Sequence, residues 1–517
     1  VHHAETVAPP GASPTRAASS PSLRAWLLTT EPRRIALLYL ATVTGVFLAG
    51  ALAAGLLRLE LLTPPGDLVS ADAFNRTFSL HGIAMVWFFL VPAIPAVLGT
   101  FALPRMLGAE AFAFPRLVRT SWLLFVAGIA CLGFAAVRGG VDTGWSFAMP
   151  FAAEFARGAV VATVAGIVLA TLASLLLALT FLVTIHRERA PQVTWAKLPL
   201  FAWSLYASSW ILLLSAPLLI TALVALVLER TLGLGLFDPA LGGDPMLFRR
   251  LFWLAARPAL YAMVLPALGV ASEVVAVAAG RPVRGRRVVA ACFGAIAVLG
   301  FFTWGVHLST GGESPLLAAV SSLMGMILTV PFGLVLLHWL RTLRGRTFTL
   351  TAPMAWTLGF FVLLVAGGLS GVGMVMLGVD VHLHGTLFVI GHFHLLTLGV
   401  LMAFLAGLHL WWPELTGRQA PGSSSRAAAL LAVTGVVLTF APQIWLGVLG
   451  LPRRQWSYPS ELQVYQVLST AGATLLAVGL LIPAILFAAS LRRGAPSPAT
   501  APATASDKGP AGGPETR

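Results

Sequence analysis

Apolar residues along this chain come in long blocks separated by short charged or Pro- and Gly-rich breaks. Each block holds 18 or more residues, enough to cross a bilayer. The pattern predicts twelve spans, near 35–57, 80–104, 120–137, 158–184, 199–228, 251–279, 287–308, 315–340, 352–378, 384–412, 427–449 and 466–490. The expected fold is an all-α integral membrane protein, a twelve-transmembrane-helix bundle over residues 23–493. Residues 1–22 and 494–517, rich in Ala, Ser and Pro, read as disordered tails, and the first lacks the apolar core of a signal peptide. No internal repeat is visible, and no loop is long enough to hide a soluble domain.

Composition agrees. Of the 517 residues 58% are hydrophobic and only 10% charged, against about a quarter charged in soluble domains. The formal charge of +14 would suggest a nucleic-acid partner if it were clustered on a soluble surface. Instead, 23 of the 33 Lys and Arg residues fall in the tails and the even-numbered loops. The charge therefore reads as topology, with both termini cytoplasmic and no nucleic-acid role. Cys131 and Cys292 both lie in apolar blocks, so neither a disulfide framework nor a thiolate metal site is expected.

Ionisable groups inside spans are costly and mark candidate sites. The topology places six polar residues from four helices in the outer half: His81, Arg257, Tyr261, His307, His392 and His394. His81 is expected to open its span near the outer surface, and His392 and His394 to lie ~12–15 Å below it. Residues two apart on a helix point about 200° apart, so these two imidazoles cannot share one metal. They can serve two metals on opposite faces, and imidazole suits iron, copper and zinc. One haem on His394 and His81 with a second on His392 satisfies this geometry. Interhelical hydrogen bonding or an aqueous cavity is the plainer alternative for such histidines.

The chain resembles subunit I of the haem–copper oxidase superfamily, and is most similar to cytochrome c oxidase subunit I. The likeness runs from about Arg58 to Glu461 through six segments in family order. They are FSLHGIAMVWFFLVPAIP, LPRMLGAEAFAFPR, FDPALGGDPMLFRRLFW, RPALYAMVLPALG, GVDVHLHGTLFVIGHFHLLTLG and LPRRQWSYP. The resemblance implies that His81 and His394 hold a low-spin haem and His392 a second one. It also implies that Arg453 and Arg454 bind haem propionates and that Asp380 lies near those of the second haem. His384 matches a magnesium ligand, but the adjacent family aspartate is Gly385, which breaks that ligand set.

Departures from the family change the expected function. The copper motif His-Pro-Glu-Val-Tyr reads Arg257-Pro258-Ala259-Leu260-Tyr261, and the two adjacent copper histidines read Val306-His307. One imidazole facing a guanidinium, which cannot coordinate, should not hold copper. The proton-route glutamate is Ala259, the entrance aspartate is Ala111 beside Glu110, the asparagine is Thr100 and the lysine is Val335. The expectation is a haem-binding subunit of a respiratory complex with two haems and no copper, serving electron transfer or structure. Conventional oxygen reduction is not expected of it. It would sit in a bacterial-type or organellar energy-transducing inner membrane, haem sites outward, beside other subunits such as a subunit II-like electron donor.

Three other readings stand beside this one. The first is a haem-only reductase or peroxidase-like pocket built from Arg257, His307 and Tyr261. The second is a terminal oxidase with rearranged ligands such as His382 and His384. The third, from outside redox chemistry, is a twelve-span transporter, which leaves the clustered histidines unexplained.

Overall fold

The computed structural model describes residues 22–308 and 314–493. The first tail (but for Ser22), the second tail and the loop 309–313 lie outside the described residues. Among the described residues, twelve helices are long and apolar enough to cross a membrane. They are α1 (Pro32–Glu60), α2 (Ala71–Leu107), α3 (Pro115–Val137), α4 (Val160–Arg187), α5 (Leu200–Leu232) and α6 (Pro245–Ala279). The second six are α7 (Arg286–Leu308), α8 (Pro315–Leu343), α9 (Ala352–Val375), α10 (Leu387–Thr416), α11 (Ser423–Val448) and α12 (Ser460–Arg492). Helix is the form such segments take in hydrocarbon, because it pairs every backbone group within the segment.

Neighbours in sequence pack as neighbours in space: α3 on α4, α5 on α6, α9 on α10 and α11 on α12. The α11–α12 pair is the closest, because small residues let the two backbones meet. A Cβ placed on Gly435 would stand 2.7 Å from Leu476 Cα, and one on Gly479 would stand 2.8 Å from Ala432 Cα. Helices α2 and α6 are the most enclosed of the twelve, whereas α12 is largely peripheral. Perimeter helices turn residues such as Leu52, Leu337 and Leu481 outward, as contact with lipid tails requires.

Three local departures from plain helix shape the interior. Within α2, π-helical stretches run over Val86–Leu90 and Ala93–Gly99. Pro92 and Pro95 lack the N–H that would continue the i to i−4 ladder, so the helix widens there. Helix α7 tightens to a 3-10 turn over Phe301–Leu308, the segment that carries Thr303 and His307. Before α10 the chain forms a separate short helix, Leu377–Leu383, and restarts at Leu387 with the Thr386 hydroxyl capping Phe388 N.

These departures correct two expectations. Helix α2 begins at Ala71, so His81 lies ten residues, ~15 Å, inside it rather than at its opening. The predicted span 384–412 is broken at its start, so His382 and His384 belong to the short helix and its end, not to the helix of His392.

Candidate functional site

His81 on α2 and His394 on α10 face each other across the bundle. Their ring centres are 6.1 Å apart and their planes differ by 7°. Each Nδ1 donates to a backbone carbonyl, His81 to Gly50 O at 2.9 Å and His394 to Ile390 O at 2.8 Å. With Nδ1 holding the proton, each Nε2 keeps a free lone pair, the form that binds a metal. A metal–imidazole bond is about 2 Å and the nitrogen lies about 1 Å from the ring centre, so two axial imidazoles put their centres about 6 Å apart. The observed pair fits one haem iron between them. Phe440 stacks on His394 at 4.5 Å and holds that ring in plane.

His392 points the other way. Its Nδ1 lies 3.1 Å from Gly367 O and 3.1 Å from Ser370 Oγ on α9, which again leaves Nε2 free. Gly371 lies under the ring: a Cβ there would stand 3.0 Å from His392 Cε1. All three histidines are half-buried although they sit in the middle of the bundle, so each faces open space between helices. His392 is thus the residue that would hold a second haem, through its free Nε2. A haem so held would supply one-electron chemistry at its iron.

Arg257, Tyr261 and His307 meet around Thr303. Arg257 Nε donates to Thr303 Oγ1 at 3.3 Å, and its NH1 is 3.1 Å from His307 Nε2. A guanidinium can only donate, so His307 Nε2 accepts and its lone pair is committed. Tyr261 OH lies 3.3 Å from the same Thr303 oxygen, under the Arg257 guanidinium at 5.7 Å. The His307 ring stacks on Trp253 at 3.7 Å, and its backbone carbonyl accepts from Arg249. Beside this cluster, Ala255 and Ala259 line a small cavity with Thr171, Ser174 and Ser215, and Ala259 offers it only a methyl group.

At the mouth of α10, buried Asp380 accepts from His384 Nδ1 at 3.2 Å, and His384 comes within 6.0 Å of His307. Arg453 is anchored by its backbone N–H to Gly385 O at 3.0 Å. Arg454 takes a left-handed φ of +66°, unusual for a side chain with a Cβ. Its side chain holds that turn by donating to Asn75 Oδ1 at 3.0 Å and to the Asp142 carbonyl. Burial pulls both Arg453 and Arg454 below the usual guanidinium range, most strongly as a desolvation effect, while Asp142 opposes it at Arg454.

Sequence reasoning did not single out Thr303, Trp253, Gly50, Gly367 or Ser370. The Gly367-Gly368 pair opposite His392 was the one available signal, since small residues in a span mark close approach. Residues His186, His338 and His409 lie apart from the site, and His409 is bonded to Ser425 Oγ at 2.7 Å. Among the described residues, no three His, Cys, Asp or Glu side chains stand close enough to share a metal ion.

Comparison with known proteins agrees with this architecture. The family model described as cytochrome C and quinol oxidase polypeptide I matches residues 34–475. The chain is 35% identical over 445 residues to cytochrome c oxidase subunit 1 of Synechocystis sp., covering 86% of this chain and 80% of that one. It is 31% identical over 484 residues to the subunit 1 of Cereibacter sphaeroides, covering 87% and 86%. A solved haem–copper terminal oxidase dimer shares the fold with a TM-score of 0.75 at 18% identity, over 89% of this chain and 84% of that one. A match of this length and identity, on a twelve-helix bundle of this form, places the chain in the haem–copper oxidase subunit I family, the membrane oxidoreductases of the respiratory chain.

Proposed function

We propose that this chain is a haem-bearing subunit of a respiratory membrane complex in which the copper site has been given up. Its role on this reading is electron transfer or structural support rather than proton-pumping oxygen reduction. One observation carries it: Arg257 donates to His307 Nε2, the one family copper ligand that remains. A metal ion would have to displace that bond and then sit beside a permanent positive charge with a single imidazole. The haem ligands give the opposite picture, because the Nε2 atoms of His81, His392 and His394 are all left free by their backbone bonds. The missing proton groups support the same conclusion. Ala259 and Val335 offer no proton, and Thr100 Oγ1 is buried without a partner.

On this reading the haems lie toward the outer face, where Arg249, Arg453 and Arg454 provide cations for propionates. The partners are other subunits of a membrane complex, among them a subunit II-like electron donor. The chain's own part is to fix two imidazole pockets on rigid helices and to keep a transferring electron away from water.

Haem and copper per polypeptide, measured on the purified chain and its complex, test the proposal. About two haems with no copper support it, and about one copper with two haems overturns it.

A further inference from the structure

Carboxylates are missing from a long stretch in the middle of this chain. Between Glu273 and Asp380 the sole acidic residue is Glu313, in the loop between α7 and α8. The same stretch carries seven arginines, four around the α6–α7 connection and three around the α8–α9 connection, all at one end of the bundle. The other loops at that end mix their charges. Glu110 lies among Arg105, Arg116 and Arg119, Glu188 lies between Arg187 and Arg189, and Glu414 pairs with Arg105 at 3.0 Å. Sorting of basic residues by membrane side explains cations at this end, but not two adjoining connections emptied of carboxylates.

Two of the seven arginines build one surface from both connections, and five are left free. Arg281 donates to carbonyls at the end of α8, from Nε to Thr342 O at 3.0 Å and from NH2 to Arg341 O at 3.4 Å and Arg344 O at 3.3 Å. A helix leaves its last carbonyls without partners, so these bonds clamp the α6–α7 connection onto the α8 terminus. Arg284 N adds a bond to Thr342 Oγ1 at 2.9 Å, and Arg286 donates to Lys197 O and Leu198 O before α5. The side chains of Arg284, Arg287, Arg341, Arg344 and Arg346 are exposed, and none makes an ion pair or hydrogen bond with a described residue. Glu273 is turned to the start of α5, where it accepts from Phe201 N at 3.1 Å. Outward-facing apolar side chains adjoin the free guanidiniums: Val277 on α6, Val288 on α7, and Leu337 and Leu340 on α8. The five charges thus stand where the outward apolar surface ends, the level of lipid headgroups.

We propose that the surface shared by the α6–α7 and α8–α9 connections binds phospholipids of net negative charge, the class of phosphatidylglycerol. The free guanidiniums meet the headgroup phosphate, and the acyl chains lie along the outward apolar side chains of α7 and α8. A guanidinium fork matches two phosphate oxygens at once, which makes arginine the suited donor here. An anionic headgroup supplies the counter-charge that these two connections lack. A zwitterionic headgroup brings its own ammonium and offsets little of it. The adjoining apolar side chains favour a lipid over a soluble anion, because they give a hydrocarbon chain a place beside the cations. The bound lipid joins the two connections from outside, as Arg281 joins them from within. Neither the haem nor the copper assignment enters this inference.

Native mass spectrometry of the delipidated holo-complex in neutral detergent, titrated with dioleoyl phosphatidylglycerol or dioleoyl phosphatidylcholine, tests this. At the tightest site phosphatidylglycerol should bind the parent about tenfold or more tightly than phosphatidylcholine. Arg341→Gln/Arg344→Gln should weaken phosphatidylglycerol by about tenfold or more and leave phosphatidylcholine within about threefold. Arg341→Lys/Arg344→Lys should stay within about threefold of the parent for both lipids, and a loss as large as that of the glutamine pair overturns the electrostatic basis. Arg116→Gln/Arg187→Gln removes the same charge from the mixed loops and should change phosphatidylglycerol binding by less than about threefold. Equal losses in the two glutamine pairs overturn the proposal, because overall charge and not this surface then attracts the lipid. Unchanged phosphatidylglycerol affinity in Arg341→Gln/Arg344→Gln also overturns it, and loss of a partner subunit from that variant would assign the surface to an acidic protein segment. Displacement of the lipid from the parent by an equal concentration of inorganic pyrophosphate overturns the lipid assignment in favour of a soluble phosphate.

Discussion

Thr303 is the pivot of the cluster formed by Arg257, Tyr261 and His307, and its removal has a calculable cost. The side chain is fully buried, and its hydroxyl hydrogen goes to Gly300 O at 2.9 Å. Its oxygen must then accept from both Arg257 Nε and Tyr261 OH, each at 3.3 Å. Thr303→Val keeps the shape and removes the acceptor, so two donors lose their partner without a cavity being opened. Side-chain hydrogen bonds inside membrane bundles are worth about 0.6 kcal/mol on average and at most about 1.7 kcal/mol. Two bonds at the long end of the range, one from a charged donor, predict a loss of about 1–2.5 kcal/mol. The assay is reversible unfolding in mixed detergent micelles, run as a cycle with Arg257→Leu. In the Arg257→Leu background the cost of Thr303→Val should fall by about 0.6–1.7 kcal/mol, and Thr303→Ser should stay within about 0.5 kcal/mol of the parent. A loss below about 0.3 kcal/mol, or no coupling in the cycle, would refute the claim that Thr303 anchors the guanidinium.

Three further outcomes follow from the geometry. His81→Ala and His394→Ala should each abolish the same low-spin haem signal while His392→Ala removes a different one, and a common spectrum for all three would sink the two-pocket assignment. Gly435→Ala would drive a Cβ to 2.7 Å from Leu476 Cα, so it should cost about 2 kcal/mol or more, whereas Gly45→Ala meets nothing within 4 Å and should cost nothing or stabilise slightly; thermal unfolding of the two variants side by side checks this. Glu60 is fully buried and accepts from Leu68 N, Val69 N and Trp456 Nε1, so Glu60→Gln should lower stability by about 1–3 kcal/mol and loosen the segment before α12, read by proteolysis near Trp456.

Much of this architecture was legible from the chain alone. Block length and the exclusion of charge are one-dimensional signals, because each span meets the bilayer by itself, and twelve of them were countable without knowing how they pack. The residue types at positions 81, 392 and 394, and the arginine at 257 where the family has histidine, were equally readable. Where a helix starts was harder. Helix α2 runs nine residues beyond its apolar core through polar Asp72, Asn75 and Arg76, whose side chains are used outside the hydrocarbon, so hydropathy could not see them. The break before α10 depends on the Thr386 cap and on Leu387 N bonding to Leu451 O, a contact from a distant loop.

What only the tertiary structure decided is which groups meet and which lone pairs remain. Whether a histidine can bind a metal depends on its free nitrogen, and that is set by carbonyls from other helices: Gly50 for His81 and Gly367 for His392. His394 alone is set by its own helix, through Ile390. The same holds for His307. Its identity was plain in the sequence, but the commitment of Nε2 to Arg257 arises because the 3-10 end of α7 lays that ring against α6. Hydrophobicity determines that a segment is buried in the membrane, but it has no direction around the helix axis. The rotation and depth that bring two side chains to 3 Å come from packing of neighbouring helices, which no single span encodes.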